Sequence, residues 1–221
     1  KKYSLAHSTI LPDFVNLNAN LSFTMPAYLK AITGLDALAQ GIESFWSKNA
    51  TVQSQKYSAA AIELVWNNLK QSVLTNSFTA HANVVMGSNL AGRAINIAKT
   101  SAAHAISYYF TSEHSINHGH AVALTLGKVY EFNYQKAIQS NKEINELFVD
   151  LNRLLQIKVN PKEAIERFIA DLNVEMDYSK LNISISKEIP KIIKAVNIER
   201  LSNNPFKIEE SDFEKLILNQ Y

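Results

Sequence analysis

The sequence has 221 residues, of which 47% are hydrophobic and 19% are charged, so it can bury a substantial core and does not have the composition of a disordered chain. The net charge of +2, with no prominent run of Lys or Arg, gives no indication of nucleic acid or an anionic membrane as a partner. The absence of cysteine excludes disulfides, thiolate metal sites and a Cys nucleophile, and it favours a reducing compartment such as the cytoplasm. No apolar run approaches the roughly 20 residues that a membrane helix needs.

The first 24 residues predict an extended inter-domain segment rather than a helix. Pro12 and the stretch 16–20, which holds three asparagines, interrupt any helical pattern, and 14–17 reads as a short strand or tether. Thr24 is the predicted cap of the first helix, with Pro26 in its first turn. The sequence opens on neither an initiator methionine nor a signal peptide, so we expect the numbering to begin inside a longer protein.

The remainder, 25–221, has helical periodicity nearly throughout and predicts a single all-α domain. A helix is expected after Thr33-Gly34, and another is expected to open at Pro190. Asn160-Pro161 predicts a third helix start, and Phe213, Leu216 and Ile217 mark the last helix. The other predicted helices are 35–47, 52–74, 78–98, 101–110 and 118–137, with a polar loop at 111–117.

A cluster of histidines lies beside the most apolar part of the chain. His104 falls on a short predicted helix and His118 begins the next one, so two imidazoles can point into one space across a tight loop. Borderline divalent metals prefer neutral imidazole nitrogen and carboxylate oxygen. Asp36, early on an apolar helix where a bare charge is costly to bury, is the expected carboxylate, and Gln40 lies one turn later on the same face.

Two spaced motifs resemble those of the iron-containing (group III) alcohol dehydrogenases. The segment 34–46, GLDALAQGIESFW, is similar to the first signature of that family. Ala91-Gly92-Arg93-Ala94, His104 and His118-Gly119 follow the second signature without a gap. The resemblance implies a helical C-terminal domain that holds Fe(II) or Zn(II), preceded in the family by an α/β domain that binds NAD(P). This sequence has only six glycines and no glycine-rich phosphate turn, so NAD(P) binding is expected only with that N-terminal domain.

Carried over by motif, the resemblance implies that Asp36, His104 and His118 are metal ligands, with Gln40 at the fourth position, where the family usually has His. Glu43 and Asn117 are candidates to orient the imidazoles. Tyr108 replaces a histidine found near the substrate in many members. The implied reaction is metal-assisted hydride transfer between NAD(P) and a small alcohol or aldehyde.

Arg93 and Lys99 place two cations on an otherwise uncharged stretch that leads to His104. They either reach solvent or an internal partner, or they bind an anionic substrate together with Thr100. The sequence of this stretch is similar to that of the phosphonoacetaldehyde reductase branch of the family. This resemblance implies reduction of a short phosphonate-bearing aldehyde.

Three alternatives remain. The first is an iron-type dehydrogenase of small neutral alcohols. The second is a relative of dehydroquinate synthase, which the motif around Asp36 disfavours. The third is a non-catalytic helical module with a decayed metal site. By analogy with the family, homo-oligomers are also expected.

Overall fold

The computed structural model describes residues 7–218 and contains no strand within that range. After a 3-10 turn at Ser8–Ile10, the chain forms helices at α1 Asn20–Phe23, α2 Ala27–Trp46, α3 Val52–Leu74, α4 Phe78–Ala98, α5 Ala102–His114, α6 His118–Ile138, α7 Lys142–Leu154, α8 Pro161–Asp171, α9 Ile185–Ala195, α10 Ile198–Leu201 and α11 Glu210–Ile217. The all-α prediction is therefore confirmed. None of the described helices is long and apolar enough to cross a membrane.

Two groups of helices form the core. Helices α2, α3 and α4 pack against one another, and the α5–α6 hairpin lies against α2. Helix α6 is buried almost continuously from Gly119 to Asn133, because α2, α5, α7, α8 and α11 all contact it. A helix enclosed on all sides needs apolar residues around its whole circumference, as the sequence of α6 has.

Helix α2 replaces two predicted helices, one expected to begin near Thr24 and Pro26 and one expected after Thr33-Gly34. It starts at Ala27 and runs through Thr33-Gly34 without interruption, with Pro26 rather than Thr24 immediately before it. The reason is packing, because a Cβ at Gly34 would lie 2.2 Å from Leu69 Cδ1. Gly34 thus permits close contact between α2 and α3 instead of ending a helix.

Three other boundaries differ from the prediction. Helix α5 continues to His114 and ends at Ser115, whose φ of 55° is left-handed. Helix α9 begins at Ile185 and holds Pro190 inside it, because Ile189 and Ile192 on either side are both buried in the core. The expected strand at 14–17 does not form, since no described strand lies beside it to supply hydrogen bonds. The helices predicted at 52–74, 78–98 and after Asn160 are confirmed.

Candidate metal centre and its surroundings

Three side chains from three helices converge on one point. Asp36 lies on α2, His104 on α5 and His118 is the first residue of α6. One ligand atom from each lies within 4.8 Å of the others. Asp36 Oδ1 is 3.3 Å from His104 Nε2 and 3.8 Å from His118 Nε2. The turn between α5 and α6 brings the two histidines together, as the sequence spacing predicts.

A glycine brings the start of α6 close to α2. A Cβ added to Gly119 would fall 2.0 Å from the carbonyl oxygen of Ile32 and 3.1 Å from Asp36 Cβ. No side chain fits against that backbone, so Gly119 allows the contact that sets His118 beside Asp36. The glycine that follows the candidate ligand is thus a packing requirement of the site.

Glu43 contacts His104 at Nδ1, the ring nitrogen that does not face Asp36. Its carboxylate is fully buried and accepts hydrogen bonds from the Ser101 hydroxyl at 2.9 Å and the Ala103 N–H at 2.7 Å. The other carboxylate oxygen makes a short contact with His104 Nδ1. With Nδ1–H donating to Glu43, Nε2 is the nitrogen that faces Asp36, which is the tautomer a metal ligand needs. Glu43 therefore lies where the sequence predicts an orienting residue; Asn117, the other candidate, precedes α6 without a side-chain cap bond to it.

The local charges require a positive species at Nε2. Burial lowers the pKa of His104, but the nearby carboxylates of Glu43 and Asp36 outweigh burial and raise it to about 9. His104 Nε2 is buried and, among the described residues, has no partner with hydrogen-bond geometry. A lone pair facing a carboxylate oxygen at 3.3 Å is stable only with a proton or a cation between them. The residues thus fit a divalent metal, which would bind in place of that proton.

Gln40, at the predicted fourth ligand position, contacts the candidate ligand Asp36. Its side-chain amide donates a hydrogen bond of 2.9 Å to Asp36 Oδ2, so Asp36 Oδ1 remains directed at the two histidines. The half-buried amide thus orients the carboxylate from one helical turn away.

The four predicted substrate residues divide into two pairs. Thr100 is buried next to Ser101, which bonds Glu43, and the half-buried Tyr108 ring has its centroid 5.9 Å from that of His118. Arg93 and Lys99 point elsewhere. Arg93 is exposed, stacks on Tyr57 with 4.1 Å from Cζ to the ring centroid, and lines a cavity whose lining includes none of the predicted ligands.

Lys99 directs its Nζ to the Asn96 carbonyl oxygen at 3.3 Å, on the exposed end of α4. The structure therefore brings Tyr108 next to a candidate ligand, whereas both predicted cations make contacts within or beside α4.

Sequence reasoning missed Arg200. Its guanidinium donates a hydrogen bond of 2.8 Å to the Thr100 hydroxyl and lies 5.3 Å from the centroid of the Tyr108 ring. One hundred residues separate Arg200 from Thr100 along the chain. No local motif marks Arg200, because its position depends on how the C-terminal helices fold back onto α5.

The remaining described histidines have other partners. His81 lies between the hydroxyls of Ser22 and Ser72. His120 contacts the Tyr28 hydroxyl through Nδ1 and the carbonyl oxygen of Glu175 through Nε2, so both ring nitrogens are engaged. These contacts give structural roles to His81 and to His120, the latter only two residues from His118 in sequence.

Comparison with known proteins identifies the family of this chain. Residues 30–221 match the model of the "Fe-containing alcohol dehydrogenase family, C-terminal". The chain is 28% identical over 213 residues to long-chain-alcohol dehydrogenase 1 of Geobacillus thermodenitrificans, covering 94% of this chain and 54% of that protein. It is 34% identical over 136 residues to phosphonoacetaldehyde reductase of Streptomyces viridochromogenes, covering 61% of this chain and 34% of that protein.

Among solved structures, the fold is similar to that of sulfoacetaldehyde reductase from Bifidobacterium kashiwanohense in complex with NAD+. The TM-score is 0.76 at 26% identity, and the match covers 91% of this chain and 52% of that one. The chain thus spans about half the length of such relatives. Because the family model matches most of its length, the chain belongs to the iron-containing alcohol dehydrogenase family and corresponds to its C-terminal part.

Proposed function

We propose that this chain is the metal-binding domain of an enzyme that reduces a short aldehyde to its alcohol with NAD(P)H, and that an N-terminal nucleotide-binding domain supplies the cofactor. The convergence of Asp36, His104 and His118 carries the proposal, because one carboxylate and two imidazoles suit Fe(II) or Zn(II). A bound divalent metal supplies Lewis-acid polarisation of the substrate oxygen. The cysteine-free sequence supports the cytoplasm as the compartment.

The residues of this chain divide the work. Glu43 fixes the His104 tautomer and Gln40 orients Asp36, so the ligand set is arranged before substrate arrives. Tyr108 lies beside His118, and Thr100 accepts a hydrogen bond from Arg200; these are the residues that we propose to contact a small substrate. Hydride transfer itself needs the nicotinamide, for which this chain has no glycine-rich phosphate turn.

The substrate that we favour carries an anionic group two carbons from the oxygen, as phosphonoacetaldehyde does. Two of the similar proteins are named for acetaldehydes that bear a phosphonate or a sulfonate. The alternative is a neutral alcohol, as the name of the Geobacillus protein suggests. The two substrates differ in charge, so the full-length enzyme should distinguish them.

The test is an assay of the full-length protein with NADH and with NADPH, using phosphonoacetaldehyde and propanal, before and after removal of divalent metal. We expect metal-dependent oxidation of the cofactor, faster with phosphonoacetaldehyde, and no turnover by the 221-residue chain alone. Equal rates with both aldehydes would reject the anionic substrate. The absence of metal-dependent turnover with every short aldehyde would reject the reductase, and turnover by the chain alone would reject the need for a second domain.

A further inference from the structure

Arg200 is a cation beside Tyr108 and Thr100, and the proposed reaction gives it no role. Its guanidinium lies on one side of the Tyr108 ring, at 5.3 Å, and His118 lies beside the same ring, with a centroid separation of 5.9 Å. Tyr108 is therefore next to both Arg200 and a candidate metal ligand.

The backbone that carries Arg200 is anchored at several points. Asn203 donates to the Thr100 carbonyl oxygen at 3.0 Å, and the Asn203 carbonyl accepts from the Lys48 N–H at 2.9 Å. Asn204 is fully buried and exchanges two side-chain hydrogen bonds with Asn133. These contacts hold the end of α10 against the start of α5, so the guanidinium is positioned before any ligand binds.

The charge of Arg200 is not neutralised by the protein. Within residues 7–218, no carboxylate lies within ion-pair distance of its guanidinium, and the Thr100 hydroxyl is the one side-chain group to which it donates. Arginine has five N–H donors, so most of them remain for an oxygen-rich ligand. By contrast Arg153, on the exposed face of α7, pairs with Asp150 at 2.7 Å.

We propose that Arg200, with the Thr100 hydroxyl, binds the anionic group of the substrate and so selects short aldehydes that carry a tetrahedral anion such as a phosphonate or sulfonate. This inference rests on the proposed function and deepens it. A planar guanidinium can donate two parallel hydrogen bonds to two oxygens of such a group. In this proposal Arg200 binds the anion instead of Arg93 or Lys99, the two cations considered from the sequence. Arg200 contacts Thr100 and Tyr108. Arg93 instead contacts Tyr57, and Lys99 contacts the Asn96 carbonyl oxygen.

The test compares Arg200→Gln and Arg200→Lys with the wild type in the full-length, metal-loaded enzyme. We expect kcat/KM for phosphonoacetaldehyde to fall on the order of 10- to 100-fold in Arg200→Gln, chiefly through KM, with propanal reduction retained. Arg200→Lys keeps the charge but not the paired donors, so it should recover only part of the loss. Arg153→Gln, which removes an exposed arginine on α7, is the control and should not change kcat/KM for either substrate.

Calorimetric binding of 2-hydroxyethylphosphonate to the same proteins gives a second readout that does not depend on turnover. One outcome is that the wild-type enzyme binds this phosphonate, and loses affinity in Arg200→Gln, without having reductase activity. That outcome would support the anion site and reject the proposed reaction. Equal binding by wild type and Arg200→Gln, or no binding by the wild type, would overturn the assignment. A loss in Arg93→Gln with none in Arg200→Gln would also overturn it. Matching unfolding midpoints would show that a loss of binding is not a loss of fold.

Discussion

At the scale of single residues, the site depends on a buried carboxylate that is not itself a candidate ligand. Glu43 accepts from Ser101, from the Ala103 N–H and from His104, and it is fully enclosed. A buried charge in such a network is stabilised only while all its donors are present. The same residue thus supports both the fold around α5 and the orientation of His104.

Glu43→Gln should weaken both metal affinity and stability. The amide cannot accept from all three donors, so His104 loses its fixed tautomer, and we expect metal affinity to fall by about 10- to 100-fold. Stability should fall on the order of 3 kcal/mol, since a buried charged pair is broken. Calorimetry and urea denaturation measure the two effects. Glu63→Gln, on the exposed face of α3, is the control; an unchanged metal affinity in Glu43→Gln would show that Glu43 does not position His104.

At the scale of elements, the approach of α6 to α2 decides where His118 lies. The approach is possible because residue 119 has no Cβ to meet the backbone of Ile32. Gly34 likewise permits close contact between α2 and α3, but there the neighbouring atoms belong to the Leu69 side chain, which can move. Contacts with backbone cannot relax as side-chain contacts can, so the two glycines should tolerate substitution differently.

Gly119→Ala should therefore be destabilising by about 2 kcal/mol or more, because either α6 must move or the Ile32 carbonyl must shift. Metal affinity should fall with it, since His118 is the adjacent residue. Gly92→Ala is the matched control on α4, where an added Cβ would meet nothing within 4 Å. That change should stabilise the chain by about 0.5–1 kcal/mol through helix propensity. Denaturant unfolding measures both, and equal stability of the two variants would contradict the close packing.

Helix α6 also carries a buried lysine against the C-terminal helices. Lys128 donates to the Ile217 carbonyl oxygen at 2.9 Å and lies 4.5 Å from the Tyr178 ring centroid. Burial lowers the pKa of Lys128 to about 8, although the charge of Glu166 acts in the opposite direction. Below this pKa the lysine is charged in both folded and unfolded chains, and the folded state carries the cost of its burial.

Stability should accordingly depend on pH through Lys128. Between about pH 8 and the ordinary lysine pKa near 10.5, the folded chain loses the proton and the unfolded chain keeps it, so this residue's contribution to stability rises with pH. Relative to Lys128→Met, the wild type should gain up to about 1 kcal/mol per pH unit in this window. Urea denaturation from pH 7 to pH 10 measures the difference, and parallel curves would contradict the lowered pKa.

At the scale of the whole molecule, most of the fold and part of the candidate site could be predicted from the sequence. The convergence of Asp36, His104 and His118 could be expected from two motifs that resemble those of a known family, because one helix and one helical hairpin carry them. The continuity of α2 through Gly34 could not be predicted in this way, because a glycine can mark either a helix boundary or a close contact between helices. Arg200 could not be predicted for a related reason, because its contact with Thr100 joins residues one hundred positions apart along the chain.

The division of labour between near and distant parts of the chain follows from this layout. Helices α2, α5 and α6 supply the candidate ligands, whereas the segment after α9 adds a cation beside them. The candidate ligands Asp36, His104 and His118 accordingly lie in the motifs that resemble those of the family. The Arg200 contact represents what distinguishes this chain's proposed choice of substrate.

The central claim is that Asp36, His104 and His118 hold one divalent metal ion. The direct measurement is calorimetric titration of the chain with Zn²⁺, Ni²⁺ and anaerobic Fe²⁺, beside His118→Ala, Gln40→His and the exposed control His7→Ala. We predict one site per chain, lost in His118→Ala, tightened in Gln40→His because imidazole is the stronger donor, and unchanged in His7→Ala. No saturable binding by the wild type, or equal binding by His118→Ala, would contradict the claim.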